Sequence, residues 1–588
     1  MNNEVMNTIE KRNKVLSYKN FNVAIYMPVM DVIKCAEAKD GEYDKVFSLL
    51  CDNVKIGRVY IENYRSQIFA TKEQLLKAKK YFEDKGIACS GGITTNDDDK
   101  RRGFASLCYS RESHRKIIKD SIKMLAEVFD EIIFDDFYFL NCRCSDCIKA
   151  KGTMSWSDFR LAQKAEVTKE LILKVAHEAN PACNVIIKYP LWYETFNDTG
   201  YDLKIDSGLF DSIYTGTETR NPQYQQQHMP KYMGYFNMRY YGSSKPGLNL
   251  GGWFDPYECN YNLTSYLEQG YLTMFAKAKE ATLFCMGSLI HDPSFRLFAP
   301  AVGEMFEEID EYIGKLGEPK GIAAYRPSFA RGEDNVHHYL GMCGIPFEPS
   351  VEYNENAKTI FLAEGAASDS GIVTKMKKSL SNGADVVVTS GFVRKMGKSF
   401  EEFANVSYST RKAYVDKYAD TTDHGLSIHG QYTGNKKILI PQMDYGINDV
   451  WELAAAYDTD MNYPLVLRWC YDRGRVSVIV IPDNYGDLYN YPVQVLDVIR
   501  ETLGLKDNIM ISAPSKVMLI TYDNDTLIIR SDLDYSEFVK VYVPDKFTKA
   551  VEIIREDNEG SYGKFDIVNG EFTINATPGY NYVLRLVK

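Results

Sequence analysis

Over its first ~315 residues the chain repeats one unit eight times: a short apolar, β-rich run, a polar stretch, then a helical segment. The runs begin as NVAIYMP at Asn22, RVYIENY at Arg58, GIACSGGI at Gly86 and EIIFDDF at Glu131. They continue as NVIIKYP at Asn184, FDSIYTGTE at Phe210, LNLGGWFDP at Leu248 and TLFCMGSL at Thr282. Between them, stretches such as SHRKIIKDSIKMLAEVF and AEVTKELILKVAHEA space their apolar residues three to four apart, the period of an amphipathic helix. Eight strands alternating with helices predict a (β/α)8 TIM barrel. An open doubly wound sheet would usually carry a Gly-rich dinucleotide turn after its first strand, and none is present.

At GEPK (Gly317–Lys320) the pattern restarts with GIAAYRP, KTIFLAEGA, ADVVVTSGFV and VSVIVIP, a second α/β layer reaching to about Gly504. After Asn508 the text becomes KVMLITYDNDTLIIRS, FVKVYVP, AVEIIRED and GEFTINATPGYNYVLRLVK. Short alternating strands with N-D and P-G turns predict a small antiparallel β-sandwich. The expected domains are therefore 1–316, 317–506 and 507–588.

The formal charge is −11, with no basic run, so the positive surface that nucleic acid requires is missing. No window approaches the apolar length of a membrane span, and the polar N-terminus MNNEVMNTIEKRNKVLSYKN does not read as a signal peptide. Without a secretory signal, twelve cysteines in 588 residues read as mostly reduced thiols, and the expected location is cytoplasmic. Among the aromatics, 42 tyrosines supply flat faces with polar tips, which suit a polyhydroxylated ligand as well as a large core.

One group of cysteines stands apart. Cys142, Cys144 and Cys147 form C-x-C-x-x-C in the loop after the fourth strand, and Cys108 lies in the loop after the third. Neighbouring loops of a barrel would bring these four thiols together around one tetrahedral zinc, filling its coordination sphere and leaving no place for an activated water. The competing reading is a set of unrelated buried or redox-active thiols.

A barrel with four cysteines on the loops after strands three and four resembles the family 42 glycoside hydrolases, the clan A β-galactosidases. That resemblance implies a flavodoxin-like trimerisation domain behind the barrel, then a small β-sandwich, a structural zinc and no organic cofactor. It further implies a retaining, exo-acting hydrolase of small galactose-configured glycosides or oligosaccharides that assembles as a homo-trimer. The chain departs from the family at the catalytic carboxylates. Where the family has Asn-Glu at the end of strand four, this chain has Asp135-Asp136, and the strand-seven nucleophile is not recognisable in Gly251-Gly252-Trp253-Phe254-Asp255-Pro256.

Glycoside hydrolysis requires two carboxyl groups, and barrel enzymes place them at the C-terminal ends of strands. Asp136 aligns with the family's Glu and is the expected inward acid, its pKa raised by the adjacent Asp135. Glu218, among small residues with Arg220 two positions on, is the expected partner, kept ionised by that guanidinium. Asp255 is the competing partner, or only the start of a turn before Pro256. Asp135, Glu62, Tyr26, Trp192, Arg239 and Trp253 are expected substrate contacts. Pairing strand four with strand seven would follow clan A and a β-linked substrate. Pairing it with strand six would instead resemble the α-galactosidase barrels, with an α-linked substrate. Two other function classes compete: an inactive carbohydrate-binding or assembly protein on this scaffold, and a glutamine-amidotransferase-like enzyme using Cys343. The second suffers because Cys343 closes a helix and precedes a strand, the reverse of a nucleophile elbow.

Overall fold

The computed structural model describes residues 17–223, 228–421, 428–459, 461–555 and 563–588. Most of the polar N-terminal segment read for a signal peptide, and the last two residues of AVEIIRED, lie outside these. The described chain forms two compact units, residues 1–228 with 245–314, and residues 229–244 with 315–588.

The first unit is a closed, all-parallel eight-stranded barrel. Its strands are β1 (Asn22–Met27), β2 (Arg58–Glu62), β3 (Ala88–Ile93), β4 (Glu131–Phe134), β5 (Asn184–Tyr189), β6 (Ser212–Gly216), β7 (Asn249–Phe254) and β8 (Glu280–Leu283). The eighth strand starts two residues before the expected Thr282 and ends at Leu283, because a helix already begins at Met286. Helix α1 (Lys72–Glu83) is started by a capping box in which Thr71 and Gln74 satisfy each other's backbone N–H groups. Helix α2 (Glu112–Ala126) buries Ile118, Ile122 and Leu125, the stripe that its three-to-four spacing implied.

Inside the barrel, Ala24, Tyr26, Tyr60, Ile133, Ile186, Tyr214 and Trp253 pack into one cluster. Because successive side chains of a strand alternate faces, this layer fixes which residues point inward two positions later. Those residues are Glu62, Asp135, Lys188, Gly216 and Asp255. At the opposite end of the strands, Glu280 accepts hydrogen bonds from Tyr60 (2.8 Å), Tyr214 (3.1 Å) and Arg58 Nε (2.9 Å), a buried network that ties β2, β6 and β8 together.

The second unit contains a nine-stranded mixed sheet. Its parallel part is β9 (Ile322–Tyr325), β10 (Phe347–Ser350), β11 (Thr359–Leu362), β12 (Asp385–Thr389) and β17 (Gly474–Ile479), in the order β10-β9-β11-β12-β17. That 2-1-3-4-5 order is the flavodoxin-like arrangement. Val386, Val387 and Val388 of β12 are all buried, the continuous apolar run of a strand covered on both faces. The sheet continues antiparallel through β13 (Val406–Thr421), β14 (Ile428–Tyr445), β15 (Trp451–Tyr457) and β16 (Asn462–Tyr471). The sequence reading missed this extension, because the alternation of buried and exposed residues in β13 and β14 is irregular and interrupted by register shifts.

The C-terminal strands are β18 (Met510–Ser512), β19 (Val517–Tyr522), β20 (Thr526–Ser531), β21 (Glu537–Tyr542), β22 (Lys549–Glu552), β23 (Lys564–Asp566), β24 (Glu571–Ala576) and β25 (Asn581–Val587). They form a three-stranded and a six-stranded sheet, the latter completed by Pro319–Lys320. Their own core includes Val517, Leu519, Leu527, Ile529, Val539, Val541, Ile574 and Leu584. Helix α3 (Tyr232–Ser244), which follows β6 in sequence, belongs to this second unit and packs on β10.

Candidate active site

At the C-terminal mouth of the barrel three carboxylates, Asp135, Asp136 and Glu218, gather around a residue that the sequence reading did not single out. Lys188, on β5, is only 1 % exposed, yet its ammonium donates to Asp136 Oδ2 at 2.9 Å and to Glu218 Oε1, and lies 3.9 Å from Asp135 Oδ1. Its Nζ sits 4.9 Å from the ring centroid of Trp253, so the base of the site is an aromatic face. Burial opposes a charged lysine, but Asp136, Glu218 and Asp135 outweigh it and hold the ammonium well above its usual pKa. A lysine inside the apolar text NVIIKYP was the available signal. A charge at an inward register near a strand's C-terminal end has to be paired.

The two adjacent aspartates divide the work differently from the expectation. Asp135, not Asp136, holds the inward register, because Ile133 faces the barrel interior and the side chains alternate. Asp135 accepts from Arg65 (3.0 Å), from the Thr94 hydroxyl (3.0 Å) and from the backbone N–H of Asp136 (2.8 Å). Burial works against its ionisation, but Lys188 and Arg65 more than compensate and lower its pKa. Asp136 reaches Lys188 from the rim and keeps 27 % of its side chain exposed. Burial, with Asp135 beside it, raises its pKa despite Lys188.

Glu218 lies just past β6, with a carboxyl only 8 % exposed and Oε2 without a hydrogen-bond partner. Gly216 makes room for it, since a Cβ there would lie 2.6 Å from Glu218 Oε2 and 2.8 Å from the Tyr189 carbonyl. Burial raises its pKa to about 7, with Asp136 and Asp255 adding to the rise and Lys188 opposing it. The expected ion pair with Arg220 is not formed. Arg220 sits in a left-handed turn (φ 53°), and its guanidinium grips Asp255 bidentately at 2.9 and 2.8 Å. Asp255 also accepts the Tyr257 backbone N–H at 3.1 Å, so it anchors the loop beyond β7.

Several expected substrate contacts are differently employed. Glu62 is fully buried and accepts from Tyr26 (2.7 Å), the Val29 backbone (2.7 Å), Arg65 (3.0 Å) and Thr94, which leaves it positioning Arg65 rather than meeting a ligand. Tyr26 and Trp253 are buried in the barrel interior, with ring centroids 4.8 Å apart, beneath the mouth rather than on its wall. Trp192 remains half-buried on the loop after β5, edge-on to Phe139, Phe196 and Tyr201. Arg239 is in α3 of the second unit, paired with Glu348 Oε1 at 2.6 Å, and takes no part in the barrel site.

The cysteines converge as their spacing implied. The sulfurs of Cys108, Cys142, Cys144 and Cys147 all lie within 4.8 Å of one another, beside Phe159 and Trp156, in a cluster able to hold a metal ion. Cys343 is fully buried between a helix and β10.

Comparison with known proteins agrees with this architecture. Residues 10–313 match the family model described as probable glycosyl hydrolase, catalytic domain. Residues 317–484 match the second domain of the uncharacterized protein SSO3021. SSO3021 of Saccharolobus solfataricus is 23 % identical over 527 residues, spanning 83 % of this chain and 86 % of that one. Among solved structures, a β-galactosidase from Bacillus circulans sp. alkalophilus superposes with a TM-score of 0.62 at 13 % identity, over 96 % of this chain and 99 % of that one. The α-L-fucosidase isoenzyme 2 from Paenibacillus thiaminolyticus gives 0.64 at 12 % identity, with the same coverage. At such identities the likeness establishes the fold shared with these proteins, whereas the family model covers more than half of the 588 residues: the chain belongs to the probable glycosyl hydrolases.

Proposed function

We propose that this protein is a retaining, exo-acting glycoside hydrolase in which Asp136 and Glu218 are the catalytic pair. The observation that carries the reading is the single buried ammonium of Lys188, bonded to both carboxylates at the barrel mouth. Two oxygens bonded to one nitrogen lie within about 6 Å of each other, in keeping with the ~5–5.5 Å that separates the carboxyl groups of retaining enzymes. Glu218, with a pKa of about 7, carries a proton in a good fraction of molecules at neutrality and can donate it to the leaving oxygen. Asp136, the more exposed of the pair and hydrogen-bonded to an ammonium, attacks the anomeric carbon. Once Asp136 is esterified, its repulsion of Glu218 is gone while Lys188 remains. The Glu218 pKa then falls, as the base of the second step requires.

The activities for which the structural neighbours are named, β-galactosidase and α-L-fucosidase among them, support a small galactose-configured glycoside as the first substrate to test. The expected assay outcome is turnover of a chromogenic galactoside that azide restores in the two inactive variants. Glu218→Gln should then give a glycosyl azide of retained configuration, and Asp136→Asn one of inverted configuration. The opposite stereochemistry would exchange the roles, and a Glu218→Gln variant with near-normal turnover would remove the assignment. One feature favours an inactive carbohydrate-binding protein, namely that Lys188 occupies the gap between the carboxylates. Absence of turnover across a broad glycoside panel would select that reading.

Zinc is the proposed occupant of the cysteine cluster. Contacts of 3.4, 3.7 and 3.8 Å among its sulfurs compare with about 3.8 Å for four thiolates around Zn²⁺ at ~2.3 Å. Separate apolar cores within the second unit support dividing 317–506 from 507–588, with 1–316 as the barrel domain except for residues 229–244, which belong to the second unit. A trimer assembled through the flavodoxin-like part rests on family resemblance, and a monomer in sedimentation would overturn it. Twelve cysteines, all free, fit the proposed cytoplasmic location, and among the described residues no helix is long and apolar enough to cross a membrane.

A further inference from the structure

The flavodoxin-like sheet of the second unit carries a cavity of about 320 Å³ that the barrel chemistry does not use. It opens beyond the C-terminal ends of β12 and β17, where open α/β sheets receive their ligands. Its volume is at the lower end of the ~300–1,000 Å³ typical of small-molecule sites.

The cavity is built around Glu333, a residue 6 % exposed on the loop after β9. Its carboxylate is fixed by the Thr389 hydroxyl, by the Gly391 backbone N–H at 3.1 Å and by the Glu364 backbone N–H at 2.9 Å. A Cβ on Gly391 would collide with that carboxylate, so glycine is required where the chain turns from β12 into helix α4 (Ser390–Met396). Glu333 itself adopts φ 45°, a left-handed conformation that costs a glutamate energy and that clusters at ligand sites. Burial raises its carboxyl pKa to about 7, so near neutrality it can either donate or accept a hydrogen bond.

The remaining walls indicate what would enter. Arg394 and Lys412 line the cavity, but each already has a carboxylate partner, Glu364 and Asp483 respectively, both at 2.7 Å. A phosphate or other strong anion would therefore meet Glu333 and Asp483 without an unpaired cation to receive it. A neutral ligand bearing several hydroxyls meets no such penalty, because hydroxyls donate to the carboxylates and accept from the guanidinium and ammonium. Tyr485 supplies an aromatic face of the type that covers a sugar ring. The Tyr408 ring is already overlaid by Arg394 and Lys412, at 5.3 and 5.4 Å from its centroid, and holds those two cations in the wall.

We propose that this cavity is a second, non-catalytic carbohydrate site, taking a neutral monosaccharide or disaccharide. Hydrogen-exchange mass spectrometry of the full chain, with and without galactose, glucose, mannose, fucose or lactose, locates it directly. The expected result is saturable protection of residues 389–394 and 481–485 by at least one sugar. Arg394→Ala, and separately the exposed Lys412→Met, should weaken that protection by about tenfold in sugar concentration, some 1.4 kcal/mol. Circular dichroism should show both variants folded, and the readout does not depend on turnover by the barrel. Protection confined to barrel peptides, no protection by any of these sugars, or protection by inorganic phosphate in their place would overturn the proposal.

Discussion

Acid should destabilise the second unit through His337, and the size of the effect follows from its surroundings. The imidazole is 1 % exposed, packed against Phe236, Phe347 and Phe361, and neither ring nitrogen has a hydrogen-bond partner. Burial, with Arg326 adding repulsion, lowers its pKa to about 3. An unfolded histidine takes up its proton near ~6.5. The folded state therefore binds fewer protons between those values, and stability must fall as pH drops through 6.5. Linkage gives a loss of roughly 2–3 kcal/mol between pH 7.5 and 4.5, approaching a slope of about 1.4 kcal/mol per pH unit below pH 6. The buried carboxyls with raised pKa, Glu333 among them, work in the opposite sense, so the histidine has to be isolated by difference. His337→Phe keeps an aromatic ring and removes the titration. Urea unfolding of both proteins across that range should show the variant gaining the full 2–3 kcal/mol on the wild type as the pH falls. A stability difference independent of pH, or an imidazole resonance from His337 titrating near pH 6.5, would refute the argument.

Other outcomes follow from the barrel. Lys188→Met should cost about 3–5 kcal/mol of stability at neutral pH, because it strands buried carboxylates, and recover as they protonate in acid; pH-dependent melting checks it. The same variant should move both limbs of the pH–rate profile to higher pH, since the ammonium opposes the rise in both carboxyl pKa values. Asp136→Asn and Glu218→Gln should each lower turnover by ~10²–10⁴-fold with melting temperatures nearly unchanged. Gly216→Ala should displace Glu218, reducing turnover and destabilising the first unit, because its Cβ also meets the Tyr189 carbonyl. Metal analysis should find one zinc per chain. Cys144→Ser should lower the content and the melting temperature without acting directly on chemistry, as the coordination sphere is full.

Periodicity alone determined the barrel and the kind of domains that follow it. Strand and helix spacing are local consequences of which residues are apolar, and eight such alternations admit few closed arrangements. The four cysteines were equally legible, since neighbouring loops of a barrel are neighbours in space. The long antiparallel extension was not, because its alternation is broken by register shifts whose partners lie far away in sequence. At the mouth, the sequence could offer acids at strand ends but not their partners. Whether Asp135 or Asp136 points inward depends on the phase of β4, which the packing of Ile133 fixes. Whether Arg220 serves Glu218 or Asp255 depends on one left-handed turn. Lys188 is a single cation in an apolar strand until β4, β5 and β6 close side by side and bring three carboxylates to its ammonium. Charge pairing across strands is a property of the closed barrel, and only the tertiary structure could decide it.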